Sequence, residues 1–223
     1  MESVKTFEAI DLGQMSYAEA LKVQEARFDE ILRSKREKVG HELDAFLLVE
    51  HNPVYTLGKS GKLENLKRTP EEVGAEFFKT SRGGDITYHG PGQIVGYPIF
   101  DLEHFDMGLA KYIWSIEEAI ILTIARYGIV GGRIDTASGV WLDIDKPEVR
   151  KICAIGVKAS RYVTMHGFAF NVNTDLGFFD HIIPCGIDNK GVTSMQKELG
   201  RELDFEQVKR EVVEEFEKLF VQA

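Results

Sequence analysis

Apolar positions recur at two different periods along this chain, and they predict a mixture of helices and strands. Apolar residues spaced three and four apart indicate amphipathic helices with one buried face. Ser16 followed by Glu19 forms a capping-box pattern, and Gly128 follows the second long apolar stripe. The predicted helices are Ser16 to Lys38, a short one opening at Thr69 and Pro70, Lys111 to Tyr127, a small one from Thr193 to near Gly200, and a last one opening at Asp204.

Short runs rich in apolar and β-branched residues predict the strands. They are Asp44 to Glu50, Pro53 to Leu57, a strand near Phe77 to Thr80, Gln93 to Phe100, Ser138 to Ile144, Lys151 to Ala159, and Thr164 to Val172. Most are joined by short turns rather than by regular alternation with helices. The pattern therefore predicts an α+β fold with a mixed, mostly antiparallel sheet and packed helices. Because no linker or internal repeat divides the chain, we expect one domain over residues 1–223.

The composition excludes several classes of protein. A chain of 223 residues with 43% hydrophobic content can bury one sizeable core. Its formal net charge of -9 argues against a nucleic-acid partner, which would require a basic surface. The first residues resemble neither a secretory signal nor a transit peptide, and no run of about 18 apolar residues occurs, so we expect a cytoplasmic protein without a membrane partner. Two cysteines without CxxC or HxxxH spacing predict reduced thiols and no metal site.

The segment from Arg82 to Gln93, RGGDITYHGPGQ, is rich in glycine and also carries polar side chains. Glycine allows positive φ and close approach of a ligand to the backbone, so we interpret the segment as a shaped loop rather than a core strand. Arg82 and His89, with backbone amides, could hold carbonyl oxygens of a ligand. A connector without a ligand explains the glycines alone equally well.

The two cysteines have different surroundings. Cys185 lies in IIPCGI between Pro184 and Gly186, a rigid corner that could present a thiol beside free amide groups able to stabilise an oxyanion. A lone cysteine is more often a small buried hydrophobic residue. Cys153 lies in the strand-like run KICAIG, where a packing role suffices.

Strict alternation along that predicted strand assigns its side chains to two faces. Ile152 and Ala154 share one face, and Cys153 and Ile155 share the other. The same counting puts Lys158 on the side opposite Lys151.

Four segments, taken together, resemble the lipoyl(octanoyl) transferases. They are RGGDITYHGPGQ continued by IVGYPIFDL, KICAIG at Lys151 to Gly156, HGFAFNV at His166 to Val172, and IIPCGI at Ile182 to Ile187. The resemblance implies the fold of the biotin and lipoate protein ligases. It implies transfer of an octanoyl group from octanoyl-acyl carrier protein to a lysine of a lipoyl domain of the 2-oxoacid dehydrogenases or of the glycine-cleavage H protein. No ATP, metal or organic cofactor is implied.

The resemblance also assigns roles to residues. Cys185 would carry the acyl group as a thioester, and Lys151 would stand beside it, lower the pKa of its thiol and move the proton. We expect His166 to contact the residues that line the site rather than the substrate. The residues expected to line the acyl pocket are Arg82, Gly83, Gly84, Asp85, Ile86, Thr87, Tyr88, His89, Ala154, Ile155, Gly156, Gly167, Phe168 and Ala169. Two departures from the family pattern are Phe170 in place of a usual leucine and a longer hairpin, DIDKPEVR, before Lys151.

Several alternatives stay open from the sequence. An ATP-dependent lipoate or biotin protein ligase would share the fold without needing a nucleophilic thiol, and an amidotransferase acting between lipoyl proteins would differ mainly in its donor. A binding module without turnover and a cysteine hydrolase using Cys185 with His89 or His166 are further alternatives.

Because acyl carrier proteins are acidic, a carrier donor would need a local basic patch on this acidic chain. The candidates are Lys59, Lys62, Lys67, Arg68, Lys79 and Arg82, each of which could equally be an ordinary solvated residue.

Overall fold

A computed structural model of the chain describes residues 5–40, 44–183 and 191–221, so the predicted corner at Cys185 lies outside the described residues. The helices are α1 Tyr17–Glu37, α2 Leu109–Ala125, α3 Met195–Leu199 and α4 Phe205–Phe220. The strands are β1 Phe7–Met15, β2 Asp44–His51, β3 Val54–Leu57, β4 Glu76–Lys79, β5 Ile86–His89, β6 Gln93–Ile99, β7 Gly132–Ile134, β8 Ala137–Leu142, β9 Arg150–Ser160, β10 Val163–Asn171 and β11 Gly191–Val192. Short 3-10 turns span Leu63–Asn65, Glu71–Val73 and Leu176–His181.

Within these ranges the strands form two sheets. The large sheet has the order β1-β2-β6-β10-β9-β8-β7, with β11 paired to β9, and the small sheet has the order β4-β3-β5. Pairing is antiparallel except for β1 with β2, β3 with β4, and β11 with β9. The predicted α+β fold with a mixed, mostly antiparallel sheet is therefore confirmed.

Helices cover both faces of the large sheet. Helix α1 packs through Phe28 and Ile31 on one face, against alternate residues of β2, β6 and β10. Helices α2 and α4 pack on the other face, where Phe216 stacks on Phe46 at 4.2 Å between ring centroids. The small sheet lies at one end of this arrangement, and its residues Tyr55 and Tyr88 belong to a separate apolar cluster.

The helix caps follow the sequence signals closely. The Ser16 hydroxyl accepts a hydrogen bond from the Glu19 amide and donates one to the Glu19 carboxylate. The same carboxylate accepts from the Ser16 backbone amide, which completes the capping box. Asp204 caps α4 by accepting from the Gln207 amide at 2.9 Å. Helix α1 ends where Lys38 adopts a left-handed conformation.

Two expectations for the strands were wrong or incomplete. Ile86–His89 forms β5, paired antiparallel with β3, so only the first half of the glycine-rich segment is a loop. Strand β1 was not predicted, because an edge strand with a mostly polar outer face carries little apolar periodicity. Among the described helices, none combines the length and apolar character required to cross a bilayer.

Candidate active site

A cleft of about 530 Å³, measured with its open mouth, lies between the small sheet and the α1 side of the large sheet. Strand β5 supplies one wall, strands β9 and β10 supply the opposite wall, and Tyr17 of α1 closes the far side. The row Val95, Ala169 and Ala154 crosses three neighbouring strands in register and keeps the floor free of large side chains. The volume lies within the range of small-molecule sites in proteins.

Most residues expected from the sequence to line an acyl pocket meet in this cleft. Those lining it are Arg82, Gly84, Asp85, Ile86, Thr87, His89, Ala154, Ile155, Gly156, Gly167, Phe168 and Ala169. Lys151, expected beside the reacting group, and His166, expected outside the pocket lining, line the cleft as well. Gly83 lines a neighbouring cleft instead. The Tyr88 side chain turns away and stacks on Phe178, at 4.5 Å between ring centroids. Tyr17, Val95 and Tyr97 also line the cleft and were not singled out from the sequence.

Strand β9 carries a bulge that determines where Lys151 lies. Val140 of β8 pairs with Cys153, whereas the next residue, Trp141, pairs with Lys151, so Ile152 is an extra residue in β9. A bulge shifts the alternation of side chains between the two faces by one residue. Lys151 consequently shares a face with Ala154 and reaches the cleft, instead of sharing the core face of Cys153.

The bulge overturns two expectations based on strict alternation. Ile152 and Cys153 do not lie on opposite faces, because both are fully buried in the same core cluster with α2 and α4. Lys158 is not on the face opposite Lys151, since both lie on the α1 side, where the Lys158 ammonium is 4.8 Å from the Phe28 ring centroid. The packing role expected for Cys153 is confirmed, and burial raises the pKa of its thiol.

An aromatic ring holds the Lys151 side chain. The Lys151 ammonium lies 4.4 Å from the centroid of the Trp141 ring, a cation–π contact between directly paired residues of β9 and β8. Trp141 is itself buried, and its indole N–H donates to the Ala137 carbonyl at 3.0 Å. Gly139 lies next to this pair, with φ of +128° and no room for a side chain beside the Cys153 carbonyl.

Arg82 ties the glycine-rich loop to the small sheet. Its guanidinium donates to both the hydroxyl and the carbonyl oxygen of Thr56 on β3, and to the Gly83 carbonyl at 2.9 Å. The side chain is buried, so its role in this structure is to shape the loop. Gly156 on β9 packs so closely under the loop that an added Cβ would lie 3.0 Å from the Gly83 carbonyl oxygen.

The hydrogen bonds of His89 define its tautomer. The Gln93 side-chain amide group donates to the Tyr88 carbonyl and to Asn171, so its oxygen can only accept, and it accepts the Nδ1–H of His89 at 2.9 Å. Nε2 of the neutral ring is then the acceptor, and the Thr56 hydroxyl donates to it at 3.1 Å. Both ring nitrogens are thus occupied within the protein. Burial, with the nearby His51 and Arg82, holds the pKa of His89 well below its usual range.

Two further buried histidines flank the cleft and are neutral near physiological pH. His51 donates to the Met15 carbonyl and accepts from the Tyr97 hydroxyl at 2.7 Å, and burial lowers its pKa to about 4. His166 has φ of +59° and makes a 3.2 Å hydrogen bond to the Ser81 hydroxyl. Burial, followed by the charges of Arg82 and Lys158, lowers the pKa of His166 to about 3.

Lys151 stands where three clefts converge. The first is the cleft described above, which we call the apolar cleft. The second, the narrow cleft, has about 320 Å³ and is lined by Thr87, Asn171 and Val192. The third, the wide cleft, is open, has about 980 Å³ and is lined by Ser60, Thr136 and Ser138. Lys151 lines all three. Across the described ranges, no three His, Cys, Asp or Glu side chains are grouped so that they could hold a metal ion.

Comparison with known proteins agrees with this architecture. A family model for the lipoyl protein ligase A/B catalytic domain matches residues 16–217. The fold is similar to LipL1 of P. falciparum in complex with lipoate, with a TM-score of 0.71 and 13% identity over 96% of this chain and 61% of that one. It is also similar to lipoate-protein ligase A bound with ATP, with a TM-score of 0.65 and 15% identity over 96% of this chain and 85% of that one. The fold and site thus define a catalytic domain of the lipoyl protein ligase A/B class.

Sequence relatives identify the family within this class. An octanoyltransferase of Flavobacterium johnsoniae is 52% identical over 225 residues, which cover 97% of each chain. An octanoyltransferase of Parabacteroides distasonis is 50% identical over 221 residues, covering 97% of this chain and all of that one. The chain belongs to the octanoyltransferase family, and the resemblance seen in its sequence is confirmed.

Proposed function

We propose that this protein transfers an octanoyl group from octanoyl-acyl carrier protein to the ε-amine of a lysine on a lipoyl domain or glycine-cleavage H protein, through a thioester on Cys185. Membership of the octanoyltransferase family supports the reaction class. The apolar floor of the cleft, formed by Val95, Ala154 and Ala169, supports an acyl substrate. Each methylene that such a surface removes from water contributes about 0.8 kcal/mol of binding free energy.

The observation that carries the proposal is the position of Lys151. The β9 bulge turns this side chain out of the core and into the cleft, beside Ala154. A regular strand would bury it next to Cys153. Bulges beside active sites commonly aim a side chain in this way. The segment with Cys185 lies outside the described residues, so the pairing of thiol and ammonium is the part of the proposal to be tested.

In the first half-reaction, the Cys185 thiolate attacks the thioester carbonyl and forms a tetrahedral intermediate. An adjacent ammonium favours the thiolate form of the attacking sulfur. Collapse breaks the bond between the acyl carbon and the carrier sulfur, and the Lys151 ammonium gives a proton to the leaving carrier thiolate. The acyl group is then on Cys185, and the Lys151 amine is neutral.

In the second half-reaction, the acceptor lysine attacks the acyl-enzyme as a neutral amine. Lys151 takes the proton that the attacking nitrogen loses, and the bond between the acyl carbon and the Cys185 sulfur breaks. The products are an octanoyl amide and the original thiolate beside an ammonium. Exchange between two thioesters is close to isoenergetic, and aminolysis of a thioester is energetically favourable. The two half-reactions therefore require no ATP.

The histidines favour a lysine as the proton carrier. Both ring nitrogens of His89 are engaged by Thr56 and Gln93, and its low pKa leaves little affinity for a proton. His166 is similarly kept neutral by burial. A general base works best when its pKa lies near the operating pH. This argues against a hydrolase that pairs Cys185 with either histidine.

A transfer assay with purified components tests the proposal. Octanoyl-acyl carrier protein and an unmodified lipoyl domain are incubated with enzyme in the absence of ATP, and the mass of the domain is followed. We expect octanoylation by the unaltered protein and by Cys153→Ala, and none by Cys185→Ala. Octanoylation only from free octanoate with ATP would replace the proposal with a ligase, and full activity of Cys185→Ala would remove the thioester route.

A further inference from the structure

The wide cleft beside Lys151 lies next to the apolar cleft that we propose for the acyl chain. It runs from Ser60, in the turn after β3, past Thr136 and Ser138 at the β7–β8 turn, to Lys151. It meets the apolar cleft at Gly84, Gly156 and Lys151, so a bound molecule could occupy both clefts at once. The reacting carbonyl would then lie at their junction.

We infer that this wide cleft binds the pantetheine-type arm through which a carrier presents its acyl thioester. The inference rests on the proposed function. Such an arm alternates amides and a hydroxyl with apolar segments, and its sulfur must lie at the junction when the acyl chain fills the apolar cleft. The lining of the cleft is likewise mixed. The exposed residues Ser60, Thr136 and Ser138 supply hydroxyls, while Ile113 and Val157 supply apolar surface.

The mouth of the wide cleft fits the charged end of the arm. Lys59 and Lys62 flank Ser60, are exposed, and form no ion pair with any residue that the structure describes. The turn carrying them is fixed to the glycine-rich loop, since the Lys59 amide donates to the Arg82 carbonyl and the Ser60 amide to the Gly84 carbonyl. Two ammonium groups on an ordered turn suit the phosphodiester that joins such an arm to its protein. The exposed Glu64 is the nearest acidic residue along the chain, and the Asp85 carboxylate, which lines the cleft, accepts hydrogen bonds from the Asn65 side chain and the Ile86 amide.

The alternative occupant, the acceptor lysine, fits the narrow cleft better. A lysine side chain is four methylenes ending in one amine, so it needs a slim, mostly apolar passage with a polar end. Ala154, Ala169 and Phe179 give the narrow cleft apolar walls, and Asn171 with Lys151 gives it a polar end. The pantetheine-type arm and the acceptor lysine would then approach the junction from different sides.

Comparison of two donors tests the inference. The donors are octanoyl-acyl carrier protein, which has the complete arm, and octanoyl-N-acetylcysteamine, which keeps only its last amide. Filling the cleft with Thr136→Trp should reduce the ratio of kcat/KM for the carrier to kcat/KM for the short thioester by about tenfold or more, as a blocked subsite would. Ser60→Trp should do the same from the other end. Ser160→Trp, at the distant end of β9, is the matched control and should keep the wild-type ratio.

The outcomes separate the inference from the proposed function. If the unaltered protein turns over octanoyl-acyl carrier protein and neither Thr136→Trp nor Ser60→Trp changes the ratio, the arm binds elsewhere and only the inference falls. If the unaltered protein uses no octanoyl-acyl carrier protein at all, the proposed function and the inference fall together. Replacing Lys59 and Lys62 by glutamine should also lower the ratio and weaken its dependence on salt concentration.

Discussion

The ammonium of Lys151 lies 4.4 Å from the centre of the Trp141 ring, and the two residues are paired across β9 and β8. The contact exists because Ile152 bulges out of the ladder at this step. One inserted residue therefore decides both that Lys151 faces the cleft and that an aromatic surface supports it.

Removing the Lys151 ammonium should abolish transfer. Lys151→Met keeps the length and apolar stem of the side chain but loses the proton carrier, so we expect kcat to fall by about a thousandfold or more. Lys158→Met is the matched control, because Lys158 occupies the same face of the same strand but lies over Phe28. We expect this control to keep activity within about threefold. Equal losses in both variants would contradict a specific role for Lys151.

The Trp141 ring should position Lys151 rather than merely fill space. Trp141→Leu removes the cation–π surface and should lower kcat about tenfold with little change in KM, since the acyl cleft is not lined by Trp141. Trp141→Phe keeps an aromatic face and should recover most of kcat. Because truncating a buried tryptophan also destabilises the fold, urea unfolding is measured on both variants. Equal kcat for the two would show that the aromatic surface is unimportant.

The small side chain of Ala169 should limit the length of the acyl group. It lies between Val95 and Ala154 on the cleft floor and is 4% exposed. Ala169→Leu adds three carbons to that floor, so we expect kcat/KM for octanoyl donors to fall about tenfold or more and the fall for butanoyl donors to be smaller. An unchanged ratio of octanoyl to butanoyl turnover would place the acyl chain outside this cleft.

Arg82 should be irreplaceable by lysine. Its guanidinium makes several hydrogen bonds to Thr56 and Gly83 from a buried position, and an ammonium cannot reproduce that planar geometry. We expect Arg82→Lys to lower the free energy of unfolding by about 2 kcal/mol or more and to raise KM for the acyl donor. Arg36→Lys, at the exposed end of α1, should change neither quantity. Chemical denaturation and steady-state kinetics measure both effects.

The buried histidines predict a loss of stability on mild acidification. The pKa of His51 is about 4 in the folded protein, below the unfolded value of about 6.5, so between these values the unfolded chain binds more protons. Stability therefore falls as pH drops from about 6.5 toward 4, by about 1 kcal/mol at pH 5.5 for a histidine of this kind. His51→Gln should reduce the fall in unfolding free energy between pH 7.5 and 5.5. An identical pH dependence in this variant would contradict the attribution of the fall in stability to His51.

Much of the fold could be predicted because its signals are local. The caps at Ser16 and Asp204, and the apolar stripes of α1 and α4, depend on residues within one or two helical turns. The sequence of β1 does not predict a strand, because the strand forms by pairing with a parallel partner 36 or 37 residues further along the chain. The glycines before and after β5 predict a loop, and its pairing with β3 gives no signal within the segment itself.

The candidate site was located by its motifs, but its geometry was not foreseen. The residues of the glycine-rich segment and of KICAIG do meet in one cleft. The bulge at Ile152 arises from the register between β8 and β9, which no count along β9 alone can reveal. Tyr17 reaches the cleft from a helix whose sequence is that of an ordinary core helix. Tyr97 lies in IVGYPIFDL, a segment of the family resemblance that carried no assignment to the pocket.

The acyl-enzyme itself is the most direct test of the account. Enzyme is mixed with octanoyl-acyl carrier protein without an acceptor, and intact mass is recorded before and after hydroxylamine, followed by peptide mapping. We predict one hydroxylamine-labile octanoyl group on the peptide containing Cys185, present in Cys153→Ala, absent in Cys185→Ala and strongly slowed in Lys151→Met. An unaltered, fully active protein that never carries an octanoyl group on Cys185 would contradict the mechanism.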